Sequence, residues 1–338
     1  MALLFATHPQ YLLHDSGAGH PERPARLQAV LAGIGAAGLG EAVHAVEPRR
    51  ATREELERVH PAAYIDSLQR FCASGGGYLD GDTHVGHGSF DAALLAAGAG
   101  LDTAERLALG EGEVAFCAVR PPGHHALANR AMGFCLFNNV AVTAADLAAR
   151  GERVLIVDYD AHHGNGTQDI FYASSDVFYV SMHEWPLYPG TGRADEMGCG
   201  EGVGTTLNLP FPAGTTGDVY LRAIDELVLS AAADFAPTWL LISAGFDGHR
   251  RDPLTDLGLT SADFADITRA LCTLVPSGRR LLFLEGGYDL EGLTTSVGAT
   301  LSALLDDGAY RPERATNGGP GEEVVDAMRT IRAQAASG

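Results

Sequence analysis

The sequence predicts an α/β protein, a parallel β-sheet covered by helices on both faces. Two observations lead there. Short runs rich in β-branched and aromatic residues recur along the chain, apolar on both faces, as strands buried between helix layers are. Between them lie Ala- and Leu-rich stretches with helical spacing, and alternation of strand with helix implies βαβ units.

In chain order, the helix Phe90–Leu107 precedes the strand Val114–Val119 (VAFCAV). The helix Asn139–Arg150 leads into the strand Val154–Asp158 (VLIVD), and the strand Val177–Ser181 (VFYVS) follows. The helix Tyr220–Ala233, the strand Trp239–Ser243 (WLLIS), the helix Ser261–Val275 and the strand Arg280–Leu284 (RLLFL) complete the alternation. The longest irregular pieces are the Gly-rich Ser74–Gly77 and the segment Pro186–Gly204. After about Thr316 the run NGGPGEE breaks the pattern. One domain over residues 1–316 is therefore expected, with a tail or terminal helix over 317–338.

The 338 residues are 46% hydrophobic and 20% charged, the balance of a globular protein with a large core. Forty-three acids against 23 bases give a formal net charge of −20. That argues against nucleic acid and anionic lipid as partners, since both require clustered positive charge. All 23 basic residues are Arg. Without Lys there is no lysine Schiff base and no P-loop. The cysteines Cys72, Cys117, Cys135, Cys199 and Cys272 are widely spaced and form no CxxC, so neither a disulfide framework nor a thiolate zinc site is expected, and they are assigned to the core. The opening MALLFATHPQ lacks a basic leader region and no run of roughly 18 apolar residues occurs, so a cytoplasmic chain without membrane association is expected.

In open α/β sheets, ligands bind beyond the carboxyl ends of the strands. Here those ends run into VRPPGHH, VDYDAHHGNG, SMHEW, SAGFDGHRRD and EGGYD. Alternation along an extended chain puts Asp158, Asp160 and His162 on one side. Carboxylate oxygen and imidazole nitrogen suit a borderline divalent metal such as zinc. A further ligand must come from another strand end, and Asp247 is the candidate. Three protein ligands with one position open make a catalytic site. Imidazole ordinarily titrates near neutrality, so His124 and His125 are suited to proton transfer, one to take a proton from water and one to give a proton to a leaving group. Asp158, where it is not a ligand, can orient one of them. The glycines after Glu285 allow a sharp turn that projects Tyr288, whose hydroxyl can donate to an oxyanion.

Read singly, each motif has a plainer meaning: a solvated turn, a structural histidine pair, a packed tyrosine. Their shared position at strand ends argues for a site. Other polar residues have plainer readings. His84 and His87 read as a solvated rim, not a second metal site, and His8, His14 and His20 lie scattered in N-terminal loops, with the border of the site mouth as the alternative place for His20. His163 reads as a structural hydrogen-bonder. His183 and Glu184 either contact substrate or pack, and Arg250 and Arg251 form a surface pair.

Taken in order, HPERPARL, RPPGHHA, GFCLFNN, VDYDAHHGNGTQ, SAGFDGHRRDP and EGGYD resemble the motifs of the zinc-dependent histone deacetylase and acetylpolyamine amidohydrolase superfamily, in a class II-like bacterial form, from about Thr7 to Ala303. The resemblance implies the three-layer arginase/deacetylase-like α/β fold with a central, mainly parallel eight-stranded sheet. It implies one catalytic zinc on Asp160, His162 and Asp247, and a structural K+ or Na+ held by Asp158 and Ser181. His124 and His125 match the tandem histidines, with His125 as base and acid and Asp158 supporting His124. Tyr288 matches the tyrosine that polarises the substrate carbonyl. Gly133, Phe134 and Tyr188 match the tunnel walls, Asp82 the rim acid that grips the substrate backbone, and Arg26 the inner acetate channel.

Asn165 stands where one branch has Asp, which leaves His125 a neutral partner. Leu254 falls where polyamine-selective relatives carry a gatekeeping Glu. The implied activity is hydrolysis of Nε-acyl-lysine in peptides or proteins, releasing acetate. The alternatives are deacetylation of acetylpolyamines or other small acylated amines and, more remotely, a non-catalytic acyl-lysine-binding module. An arginase-type two-manganese site would need further aspartates. A homo-oligomer is compatible with the sequence.

Overall fold

The structure, a computed structural model, describes residues 2–305 and 308–335. Its strands in chain order are β1 (Leu3–Ala6), β2 (Val43–Val46), β3 (Gly77–Tyr78), β4 (His84–Val85), β5 (Val114–Cys117), β6 (Val154–Asp158), β7 (Val177–Glu184), β8 (Thr206–Phe211), β9 (Trp239–Ala244) and β10 (Arg280–Leu284). Eight of them form one all-parallel sheet in the order β2-β1-β5-β10-β9-β6-β7-β8. The remaining pair, β3 and β4, makes a separate antiparallel hairpin. Among the described residues no helix is long and apolar enough to cross a membrane.

The inner strands are buried on both faces, as their unbroken apolar runs require. The run expected over Val114–Val119 leaves the ladder at Cys117, where Val119 N turns back onto Cys117 O (3.1 Å). β7 continues past Ser181 to Glu184 because β8 partners it as far as Phe211. Three strands of the sheet gave no strong sequence signal. β1 has only four residues, β2 is a half-exposed edge, and β8 contains Pro210, which an edge strand tolerates.

Helices Ser89–Ala108 and Asn139–Ala149 pack on each other and on the strands, while Ala25–Ala36, Leu290–Leu304 and Ser261–Leu271 pack in a second group. The helix expected over Tyr220–Ala233 is interrupted: Gly217–Ala223 and Leu229–Phe235 flank a wider π-helical turn, Ile224–Val228. A single widened turn keeps the apolar face and so leaves no trace in the pattern. The helix expected to reach Val275 tightens to 3₁₀ geometry after Leu271. Beyond Thr316 the chain carries a helix, Glu322–Ala335, docked through the fully buried Val325 and Met328 and through Arg222, which binds Glu322 and Asp326.

Register decides where the site lies. Asp158 pairs with Ser181 on β7 and with Ser243 on β9, and Leu284 pairs with Ala244. The carboxyl ends of the adjacent strands β10, β9 and β6 are therefore level to within a residue, with β5 beside β10 and β7 running on from Ser181 to Glu184.

A fully buried ionic cluster braces the N-terminal loop against this end. Arg120 grips Glu22 through Nε and Nη2, and Arg26 Nη1 donates to Glu22 Oε1 (3.3 Å). Burial alone would raise the Glu22 pKa, but Arg120, with His14 and Arg26, holds it down to about 2. An unfolded Glu titrates near 4.3, so this stabilisation is complete above about pH 4.3 and is lost as pH falls toward about 2. Glu22→Gln should cost about 3–5 kcal/mol at neutral pH, because it strands buried guanidinium groups. Denaturant unfolding from pH 2 to 7 checks it: the wild-type advantage should vanish at the acid end.

Candidate active site

Two strand ends, those of β6 and β9, bring Asp160, His162 and Asp247 together, with one ligand atom from each within 4.8 Å of the others. Backbone N–H groups aim the carboxylates. Asp160 Oδ1 accepts from His162 N (2.9 Å), Asp160 Oδ2 from Gly286 N (2.7 Å), and Asp247 Oδ1 from Ala161 N (2.9 Å). His162 Nδ1 lies 3.2 Å from Asp160 Oδ1 and 2.9 Å from Asp247 Oδ2. Burial and the nearby Asp160 push Asp247 up to about 7. Concentrating buried negative charge in this way is costly unless a cation neutralises it. Two carboxylates and an imidazole are a donor set that fits zinc.

The histidine pair differs internally. His124 Nδ1 donates to Asp158 Oδ2 (3.0 Å), and His125 Nδ1 to Asn165 Oδ1 (2.8 Å). Both acceptors fix a proton on Nδ1, and His124 Nε2 lies 3.9 Å from Asp160 Oδ2. Burial opposes charge on His124, but Asp160 and Asp158 outweigh it and hold its pKa up to about 10. A divalent cation on Asp160 would cancel the largest of those contributions. For His125, burial and the neighbouring His124 and His162 push the pKa well below the usual imidazole value. The environments thus separate a proton donor from a base.

A cavity of about 400 Å³ opens onto this cluster. Gly133, Phe134, Tyr188 and Leu254 form its walls, with Asp82 and Tyr288, and His125 and His162 lie in its lining. Phe134 meets Tyr288 edge-on (centroids 5.9 Å), and Tyr188 meets His125 (5.2 Å). Gly133 has φ +55, and a Cβ there would lie 2.5 Å from the His125 ring. Asp82 sits in the hairpin between β3 and β4, turned by Asp80, whose Oδ1 accepts from Asp82 N and Thr83 N.

Arg26 lies outside this lining, fully buried behind Tyr288. Its Nε donates to Gly287 O (2.7 Å), and its guanidinium sits 5.1 Å from the Tyr288 ring centroid. Asp158 and Ser181 face each other across β6 and β7, yet both side chains already have protein partners: Asp158 binds His124, and Ser181 Oγ binds His183 (2.9 Å).

Sequence reasoning missed several contributors. Tyr179 donates its hydroxyl to Asp158 Oδ2 (3.1 Å); its place two residues before Ser181 on a strand was the available signal. Glu285 Oε2 accepts from Gly123 N (2.7 Å) and His124 N (3.2 Å), bracing the histidine turn. His20, the one N-terminal histidine that the sequence offered for the border of the site mouth, does line the cavity, together with Pro21 and Leu187, which it did not offer. His124, Cys135 and Glu285 form a second compact cluster. Its groups are satisfied within the protein, however: Cys135 Sγ donates to Gly133 O (3.3 Å), and burial holds its thiol protonated. Four cysteines are buried as expected, whereas Cys199 is exposed. His163 is held between Thr191 and Gln168, Glu184 accepts from Asp256 N, and Arg250 and Arg251 pair with Glu313 and Glu291.

An eight-stranded parallel sheet with this strand-end site defines the class: a hydrolase with the α/β arginase/deacetylase fold. The chain belongs to the histone deacetylase family, whose histone deacetylase domain matches residues 20–304. It is 40% identical over 321 residues to a probable deacetylase of Archaeoglobus fulgidus, covering 90% of this chain and 89% of that one. It is 42% identical over 295 residues to histone deacetylase 15 of Arabidopsis thaliana, covering 85% of this chain and 53% of that one. A crystal structure of the HDA15 HD domain superposes with a TM-score of 0.90 at 38% identity, covering 98% of this chain and 94% of that one.

Proposed function

We propose that this deacetylase is zinc-dependent and hydrolyses Nε-acetyl-lysine in peptides or proteins. The observation that carries the reading is that His162 belongs both to the metal-compatible donor cluster and to the wall of a cavity lined by aromatic and aliphatic groups. An apolar shaft suits the methylene stem of lysine. Asp160, His162 and Asp247 hold the ion, which when bound supplies a Lewis acid for the amide carbonyl and lowers the pKa of water.

The chain's own groups do the rest. His125, neutral and held by Asn165, takes a proton from the attacking water at Nε2. Tyr288 donates its hydroxyl to the carbonyl oxygen as negative charge develops there. A protonated histidine of the pair gives its proton to the departing lysine amine as the C–N bond breaks, leaving acetate. Leu254 at the mouth offers no charge to hold a distant ammonium, which favours acyl-lysine over acetylpolyamine. A K+ or Na+ beside Asp158 and Ser181 is a lesser part of the proposal, and turnover indifferent to both ions removes it.

The test is turnover of an acetyl-lysine peptide and of acetylspermidine by metal-quantified protein, with a zinc-chelating hydroxamate as control. Preference for the peptide supports the proposal. Preference for acetylspermidine overturns the substrate assignment, and tight binding without turnover would make the chain an acyl-lysine-binding module.

A further inference from the structure

The hydroxyl of Tyr288 has no protein hydrogen-bond partner among the described residues, so its aim depends on how the backbone beneath it is held. Gly287 before it has φ +115, and Asp289 after it caps the helix Leu290–Leu304, its Oδ1 accepting from Gly292 N (2.7 Å). Two buried side chains grip the chain here: Arg26 Nε donates to Gly287 O (2.7 Å), and Asp252 takes the N–H groups that follow. Asp252 Oδ2 accepts from Tyr288 N (2.7 Å) and from Asp289 N (3.3 Å). Its other oxygen, Oδ1, accepts from Leu254 N (3.0 Å).

Tyr288 and Leu254 are walls of the same cavity, so one carboxylate fixes both. Asp252 is itself fixed, since its backbone N donates to His249 O (2.7 Å). Its loop starts at Asp247, where the Thr255 hydroxyl donates to the Asp247 carbonyl.

We infer that Asp252 is a positioning residue which sets the aim of the Tyr288 hydroxyl and the placement of Leu254 together. The inference rests on the proposed role of Tyr288. Three N–H donors converge on two carboxylate oxygens, and hydrogen bonds to an ionised acceptor are shorter and stronger than neutral ones. An amide at this position would present its NH₂ either to the Tyr288 and Asp289 donors or to the Leu254 donor. One wall of the cavity would therefore lose its anchor whichever way the amide turned. Displacing a hydrogen-bond donor from a developing oxyanion slows the chemical step, whereas displacing a wall loosens substrate binding.

The test compares Asp252→Asn, Asp252→Glu, Tyr288→Phe and the Asp252→Asn/Tyr288→Phe double variant on one peptide carrying either acetyl-lysine or trifluoroacetyl-lysine. Metal content and thermal midpoint are measured for each protein. The trifluoromethyl group withdraws electrons and stabilises the oxyanion, so that substrate depends less on the tyrosine. Asp252→Asn should lower kcat on the acetyl peptide roughly tenfold, a part of the ~10²–10³ that outright loss of an oxyanion donor costs. On the trifluoroacetyl peptide the kcat loss should be under about threefold. KM should rise on both peptides, because Leu254 serves both. The double variant should be no slower on the acetyl peptide than Tyr288→Phe alone.

Equal kcat losses on both peptides, or losses that multiply in the double variant, would overturn the inference and leave Asp252 a structural residue. Full acetyl turnover in Tyr288→Phe would instead overturn the role of Tyr288, a distinguishable failure. Should Asp252→Asn not fold, Asp252→Glu carries the same comparison, since it keeps the charge and moves the oxygens.

Discussion

Asp247→Ala should lose its bound metal and fall to background turnover. Asp247 is wholly buried, and its Oδ2 lies 2.9 Å from His162 Nδ1. Without it the cluster keeps one carboxylate and one imidazole, too few protein ligands for tight zinc binding. The residue also accepts from Ala161 N, the residue between the other two ligands, so its removal frees the segment that presents them. Ala161 N and His162 Nδ1 lose a buried partner in the variant, so the metal-free protein should unfold at a lower temperature. Elemental analysis, turnover and thermal midpoint on one preparation check all three. Full metal occupancy in Asp247→Ala would refute the ligand assignment.

His125→Ala should lower kcat by about 10²–10⁴, the usual worth of a positioned general base, while metal content stays at the wild-type level. The companion substitution Asn165→Asp asks how the base is tuned. Asn165 gives His125 Nδ1 a neutral acceptor at 2.8 Å. A carboxylate in its place favours the imidazolium and raises the His125 pKa. A base works when neutral, so activity on the acid side should fall and the acid limb of kcat/KM should move to higher pH. An unmoved limb would show that His125 does not set it. The kcat/KM profile from pH 5 to 9 for the three proteins decides this.

The strand-end residues were legible because physics ties them to an obvious signal. A strand buried on both faces must be apolar throughout, so the polar residues that follow β6, β9 and β10 stand out against it. Asp160, His162, Asp247 and Tyr288 could therefore be found from pattern, and the order of the motifs supplied the family. What pattern could not supply was contact between positions far apart. Asp252 bonds Tyr288 across 36 residues, and Glu285 braces Gly123 across 162. Their place after a strand is visible in the sequence, but their partners are not until the loops are folded. β8 was hidden for another reason: Pro210 argues against a strand except at a sheet edge, and its edge position is a property of topology.

The most direct measurement is a zinc titration of metal-free protein, with bound metal and acetyl-lysine turnover followed together. Turnover should rise in proportion to bound zinc and level off at one ion per chain, and Asp160→Asn and Asp247→Asn should each abolish both responses. Turnover at full rate without metal, or a plateau that requires a second ion, would contradict the single-ion site on which the rest depends.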